Sequence, residues 1–260
     1  MLIRTSGQVT KILAIIPARS GSKSIRDKNL ERVGQYSLLE RAVVGAVNSK
    51  LFHSIVVTTD YPAYKIPIDP GIQCIPRPPE LAGDDALMID VVKHVLGAVR
   101  EKYDYFILLQ PSTPFRTPTH FKAIRQLLIP RIMPDKPLDP AIRPNSIISV
   151  CKVDTKYHPD RCYSIKYGKL FPGKFTNFEN KENLKNLFVR NGAFYVCNVE
   201  EFLKEKSFFL RPCVAYEMDP LYSINIDSPL DLKIAKALIS PWGDLKERDL
   251  NWESNVGINI

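Results

Sequence analysis

Three stretches of this chain combine residue types and spacings that suit phosphate and sugar chemistry. The first is residues 15–29, IIPARSGSKSIRDKN, where a Gly/Ser turn carries four cations, Arg19, Lys23, Arg26 and Lys28. Backbone N–H groups in such a turn approach phosphate oxygens closely, and the cations offset the anionic charge. It is neither a Walker A loop nor a G-x-G-x-x-G turn, since Gly21 leads straight into Ser22-Lys23. The second is residues 108–117, LLQPSTPFRT, where Gln110 offers a donor and an acceptor on a loop stiffened by prolines. The third is residues 222–231, YSINIDSPLD. Asn225 and Asp227 alternate along an expected strand, so their side chains share a face, and such oxygens suit Mg²⁺ completed by phosphate and water. Taken singly, each stretch also fits a plainer role: a solvated turn, a Pro-rich turn, a helix cap.

Positioning these groups requires strands that end at them. Residues 11–17 (KILAIIP), 53–59 (HSIVVTT) and 104–109 (DYFILL) are short apolar runs, as in strands buried on both faces of a parallel sheet. Between the first two, Ser37-Leu-Leu-Glu40 is a capping box, and Leu38, Leu39, Ala42, Val43, Ala46 and Val47 follow at helical spacing. The chain thus starts as a βαβ unit, which crosses over right-handed. In open α/β sheets ligands bind beyond the carboxyl ends of strands, where the first two stretches lie. The patterns predict helices over 84–102 and 119–129, and strands over 146–152, 193–197 and 222–226. Ser228 as cap, Pro229 in the first turn and Asp231 start a last helix. Six prolines in 61–79 exclude a helix of normal length there, although 72–75 fits a short strand. Five prolines in 130–144 mark a surface excursion. Residues 153–190, aromatic and basic without a long helical pattern, read as a β-rich flap, and 240–260 as a polar tail.

Composition narrows the function classes. A chain of 260 residues and 29.6 kDa accommodates one large α/β domain whose core needs no disulfide or metal. Hydrophobic residues at 45% and charged residues at 25% exclude disordered, collagen-like and membrane-embedded chains. No apolar run reaches the roughly 18 residues needed to cross a bilayer, and the polar start predicts no signal peptide, hence a cytoplasmic protein. Five scattered cysteines without a C-x-x-C pair point to reduced thiols. The net charge of +8 calls for an anionic partner: nucleic acid, a membrane surface or a phosphorylated small molecule. Nucleic acid is disfavoured, because there is no polybasic block, helix-turn-helix, zinc pair or aromatic RNA motif.

Together the motifs are specific. The set I-P-A-R-x-G-S-K-x-x-x-x-K-N (residues 16–29), Thr58-Thr-Asp60, Arg77-Pro-x-Glu-Leu-Ala82, LQPSTPFR (109–116), His158-Pro159, Asn191-Gly-Ala-Phe-Tyr195 and I-D-x-P-x-D-L (226–232) runs in order along residues 11–240. It resembles the acylneuraminate cytidylyltransferase family, which makes CMP-activated nonulosonic acids. The related Kdo cytidylyltransferases share only the I-P-A-R start, so Lys28-Asn29 points to the nonulosonic branch. The resemblance implies a three-layer, Rossmann-like α/β fold of the nucleotide-diphospho-sugar transferase type. It would have a mostly parallel sheet and a small β-rich dimerisation flap. One nucleotidyltransferase domain would span 11–240, with 153–190 as the inserted flap and 241–260 as a tail. The reaction implied is attack by the anomeric hydroxyl of a nine-carbon sialic, legionaminic or pseudaminic type acid on the α-phosphorus of CTP, releasing pyrophosphate. By position, Arg19, Ser20, Gly21, Ser22, Lys23 and Asn29 match nucleotide contacts. Gln110, Lys181, Asn191 and Tyr195 match the sugar side. Arg19, Lys23 and Asp227 match catalytic residues, and Asp227 with Asn225 the Mg²⁺ pair. A homodimer, without nucleic acid or membrane, completes the expectation.

The chain also departs from the family pattern. Asn225 stands where a first metal Asp is usual, Ser24 where Gly follows the motif lysine, and Met88 near a position that often carries Ser. Prolines replace the helix expected after Asp60, and the 130–144 connection is long. An alternative to the active enzyme is therefore a weakened or inactive relative that binds a nucleotide or partner.

Overall fold

The computed structural model describes residues 4–5, 8–62, 72–128, 143–173, 184–239 and 245. A small ladder, β1 (Arg4–Thr5) with β2 (Gln8–Val9), precedes β3 (Ile12–Ala18), which is buried at every residue. The chain then makes a polar loop and a hairpin, β4 (Arg32–Val33) and β5 (Tyr36–Ser37). Helix α1 (Leu38–Ser49) starts on the expected capping box: Ser37 Oγ accepts from the Glu40 N–H at 3.2 Å, and the Glu40 carboxylate takes the Ser37 N–H. There follow β6 (Ser54–Thr59), β7 (Gln73–Pro76), α2 (Pro79–Ala82), α3 (Met88–Ala98), β8 (Tyr105–Leu108) and α4 (Pro118–Leu128). The second half adds β9 (Ser146–Lys152), an exposed hairpin of β10 (Tyr163–Lys166) and β11 (Lys169–Pro172), β12 (Phe188–Asn198), α5 (Val199–Glu205), β13 (Cys213–Glu217) and α6 (Pro229–Leu238).

Seven strands form the main sheet in the order β13-β9-β12-β8-β3-β6-β7. It is mostly parallel: β7, β6, β3 and β8 run together, β13 runs with β9, and β12 is antiparallel to both its neighbours. Alternation along each strand sends side chains to opposite faces. Ile12, Ala14 and Ile16 meet Leu39, Ala42 and Val43 of α1 and Phe121 and Ile124 of α4. Leu13, Ile15 and Phe106 meet Val92 and Val95 of α3 and Phe202 of α5. These are the three layers expected. The Phe106 and Phe202 rings sit edge to face at 4.8 Å, both fully buried. Truncating either to alanine costs about 3–5 kcal/mol. A third cluster seats α6 through Leu232 and Ala235 on Ile25, Val33, Leu38 and Phe115, under the polar loop after β3.

Several elements differ from expectation. The 84–102 helix is shorter, at Met88–Ala98, because the Asp84 carboxylate serves Arg19 and Lys23 rather than a helix end, and the chain turns extended at Val99. Residues 222–226 form no strand: Pro220–Tyr222 make a 3₁₀ turn capped by Asp219, and the Ile226 N–H goes to Ser112 O at 2.8 Å rather than into a ladder. The 193–197 strand extends over Phe188–Asn198, with a register shift between Arg190 and Tyr195 where Gly192 takes φ +79°. Helix α5 and edge strand β13 had no clear pattern, since α5 buries a single side chain, Phe202, and β13 is half-exposed. The 130–142 part of the Pro-rich connection, 63–71, and the tail other than residue 245 lie outside the described residues. Among the described residues no helix is long and apolar enough to cross a membrane.

Candidate functional site

The carboxyl ends of β3, β6, β7 and β8 open on one edge, and the antiparallel β12 brings its first residues to the same edge. The loop after β3 is tied down at its base. The Ser20 N–H and Oγ donate to the two Asp60 carboxylate oxygens at 2.7 and 2.5 Å, and buried Asn29 donates Nδ2 to Arg19 O at 2.9 Å. Ser22 closes a tight turn through its N–H to Ser20 O at 3.0 Å. Above it, a Cβ placed on Gly21 meets nothing within 4 Å, so the turn faces open space.

Two cations stand beside that turn. Arg19 Nη2 and Lys23 Nζ each lie 2.7 Å from an oxygen of Asp84, one on each. The two ammonium and guanidinium groups hold the Asp84 carboxyl below its usual range, Lys23 having the larger effect. Arg77 lies behind them, buried, with Nη2 donating to Thr58 O at 2.9 Å and Nε unpartnered. Burial pushes its guanidinium down to about 10, against the opposing pull of Asp60.

Across the edge, Lys28 donates Nζ to Ile226 O at 2.8 Å and lies 3.3 Å from Asp227 Oδ1. Asn225 donates Nδ2 to Asp227 Oδ2 at 2.5 Å, so the two side chains share one point although no strand carries them. Helix α6 holds them there: Asp231 accepts from the Asp227 and Ser228 N–H groups while completing the capping box with Ser228. Among the described residues no cluster of three or more His, Cys, Asp or Glu could hold a metal.

The β8 loop is fastened by a residue the sequence reading gave no role. Arg116, buried, donates to Ala193 O, Gln110 O and Thr113 Oγ1, each at 2.7 Å. Gln110 thereby sits against the shift in β12, where a Cβ on Gly192 would stand 2.7 Å from Gln110 Oε1. Asn191 is buried and spends its amide inside: Oδ1 accepts from Ser149 Oγ at 2.6 Å and the Ala193 N–H at 3.1 Å, and Nδ2 donates to Ser223 Oγ at 2.9 Å. Tyr195 packs its ring against Phe208, 5.4 Å between centroids. Lys181 lies outside the described residues.

The structure therefore brings Arg19, Ser20, Gly21, Ser22, Lys23 and Asn29 together, gathers Asn225 with Asp227, and sets Gln110 beside Gly192. Asp60, Arg77, Asp84 and Arg116 join them. Asp60, Arg77 and Arg116 stood in recognisable motifs, but nothing in spacing reveals that a side chain will bond across 40 to 77 residues. A groove of about 880 Å³ lined by Lys11, Tyr103, Asp104, Asn198 and Leu203 opens at the amino ends of β3 and β8, away from these groups.

A family model described as "Cytidylyltransferase" matches residues 13–138. The chain is 33% identical over 228 residues to N-acylneuraminate cytidylyltransferase of Escherichia coli O18:K1:H7, covering 87% of this chain and 51% of that protein. It is 30% identical over 240 residues to CMP-N,N'-diacetyllegionaminic acid synthase of Legionella pneumophila, covering 88% and 96%. The chain thus spans about half the length of the N-acylneuraminate cytidylyltransferases it matches, and nearly all of the Legionella protein. In fold it is similar to CMP:2-keto-3-deoxy-manno-octonic acid synthetase complexed with CTP (TM-score 0.57, 18% identity, covering 88% and 98%). It is also similar to 2-C-methyl-D-erythritol 4-phosphate cytidylyltransferase of Francisella tularensis (TM-score 0.59, 13% identity, covering 87% and 98%). An identity that holds over nearly the whole of one relative, on a sheet whose strand ends carry the shared motifs, settles the family: this chain belongs to the acylneuraminate cytidylyltransferases.

Proposed function

We propose that the protein transfers CMP from CTP to the anomeric hydroxyl of a nonulosonic acid of the sialic, legionaminic or pseudaminic type. The observation that carries this reading is the convergence of Arg19 and Lys23, each 2.7 Å from the same carboxylate, beside an open Gly/Ser turn at the end of β3. Two cations that meet on one small anion in the free protein suit a triphosphate. The names of the relatives support the substrate pair.

In this reading Arg19 and Lys23 bind the phosphate chain and stabilise the charge that grows on the leaving pyrophosphate. The open space above Gly21 lets backbone come close to a phosphate oxygen. The sugar hydroxyl oxygen forms a bond to the α-phosphorus as the bond from that phosphorus to the oxygen bridging to the β-phosphate breaks, pyrophosphate leaves with that oxygen, and the hydroxyl proton passes to solvent water. Gln110, fixed through Arg116, orients the sugar acid from the far side. Lys28 supplies a further positive charge between loop and helix.

Magnesium belongs to the same proposal. Asp227 offers a carboxylate at a strand-end edge rich in cations, and Asn225, whose Nδ2 donates to it here, would present its amide oxygen on turning over, a donor set that fits Mg²⁺ when phosphates and water complete its shell. Asp227 and Asn225 would hold the ion, and bound there it would neutralise phosphoryl oxygens. The exposed apolar side chains Tyr157, Ile165, Leu170, Phe188 and Val189 around the β10–β11 hairpin support a homodimer through this flap. The five free cysteines suit the reducing cytoplasm.

The test is pyrophosphate release from CTP with a panel of nonulosonic acids, with and without Mg²⁺, alongside sedimentation for the dimer. Release that requires CTP and one acid is expected; a folded protein inert with every acid would sink the proposal. Asn225 favours a second reading, a weakened or inactive relative that binds a nucleotide or partner, which predicts that Asn225→Asp raises a low activity or creates one where the wild type has none.

A further inference from the structure

Asp84 lies in the turn between α2 and α3 and caps neither helix. Helix α2 ends at Ala82 with Gly83 as its C-cap, and α3 starts at Met88, its N-cap Leu87 giving no side-chain cap. Both carboxylate oxygens are used elsewhere, Oδ1 by Arg19 Nη2 and Oδ2 by Lys23 Nζ, each at 2.7 Å. Arg19 also donates Nη1 to Ala82 O at 3.3 Å, so one guanidinium binds this turn twice. An Asp that caps no helix and instead bridges two cations, one of them 65 residues away in sequence, is placed by charge.

The arrangement has two consequences for an anion that needs the same cations. First, the carboxylate stands where a phosphate oxygen would. Second, solvent reaches both pairs, the Arg19 and Asp84 side chains being 31% and 35% exposed and Lys23 84%, and pairs in contact with water are weak enough to exchange. A phosphate chain carries more charge than one carboxylate and replaces both contacts at once. The turn would then lose its ties to the β3 loop, while its own short bonds, Leu81 N–H to Pro78 O and Ala86 N–H to Gly83 O, stay within it.

We propose that Asp84 is a displaceable internal counter-ion: it occupies Arg19 and Lys23 in the free protein, and an incoming phosphate chain replaces it and releases the 79–87 turn. This rests on reading Arg19 and Lys23 as the triphosphate cations. Asp84 acts through those two residues and is a positioning residue. Its removal tightens polyanion binding, the opposite sign to structural damage.

The experiment uses the full chain and titrates sodium tripolyphosphate and CTP by calorimetry into wild type, Asp84→Asn, Asp84→Ser and Arg19→Ala. Hydrogen exchange over 79–87 is followed in parallel. Both Asp84 variants should bind tripolyphosphate about three- to tenfold more tightly. Exchange over 79–87 should rise on adding tripolyphosphate to wild type and be already raised in the variants. Binding unchanged or weakened in both Asp84 variants, or no rise in wild-type exchange, overturns the counter-ion role while a weakened Arg19→Ala leaves the phosphate site intact. Unchanged binding in Arg19→Ala overturns the phosphate reading itself, and the proposal with it.

Discussion

Lys28 and Asp227 stand 199 residues apart in sequence and 3.3 Å apart in space, Nζ to Oδ1. The first polar loop and the last helix thus meet at the strand-end edge, with α6 packed beneath through Leu232 and Ala235. Replacing Lys28 by Met keeps the aliphatic stem and removes the charge. We expect kcat for pyrophosphate release to fall about 10²-fold with little change in melting temperature, as for loss of one aimed electrostatic donor. Steady-state kinetics with calorimetric melting checks both halves.

Asn225→Asp adds a second carboxylate beside Asp227. Two carboxylates bind a hard dication better than a carboxylate and an amide. The Mg²⁺ concentration giving half-maximal activity should drop about tenfold. A parallel Mg²⁺ titration of melting temperature in the presence of CTP should shift in the same direction.

Gly192→Ala tests the contact between β12 and the β8 loop. Its φ of +79° disfavours a side chain by about 1–2 kcal/mol, and the new methyl would meet Gln110 Oε1 at 2.7 Å. Gln110 must swing away. The expected kinetic signature is a raised KM for the sugar acid with the KM for CTP unchanged.

His120 carries a pH dependence of stability. It accepts the Thr117 N–H on Nδ1 at 3.1 Å and lies against Tyr222 and Tyr216, and burial, with Arg116 adding to it, pushes it down to about 4. The unfolded chain therefore binds a proton here that the folded chain refuses. Stability is full above the ordinary histidine range near 6.5 and falls as pH drops from there toward 4, by roughly 2–3 kcal/mol. His120→Gln should flatten urea midpoints over that window relative to wild type.

The elements that position the site were mostly legible. The buried parallel strands announced themselves as apolar runs, and a capping box at Ser37 and a cap followed by proline at Ser228 marked helix starts, because these signals act within a few residues. Asn225 and Asp227 lie side by side, but the expected strand is absent and a side-chain hydrogen bond brings them together instead. What sequence could not reveal is contact across the fold. Asp84 reads as a helix start until Arg19 and Lys23 are seen to claim it, and the bonds of Asn191 to Ser149, Ala193 and Ser223 cannot be read from its motif. Edge strand β13 was missed because an edge lacks the doubly buried run that marks the centre.

Strand β12 has a mechanical consequence. It is the one reversed member at the heart of the main sheet, and its 11 residues extend without a loop from the exposed Phe188 and Val189 through Gly192 to the buried Cys197. At about 3.3 Å per residue it spans roughly 35 Å, paired with β9 over 188–190 and again over 195–197, and with β8 only over Tyr195–Asn198. The stretch between the two ladders, 191–194, is held by the side chains of Arg116 and Ser149 instead, so the strand is stitched by side chains where it passes Gln110.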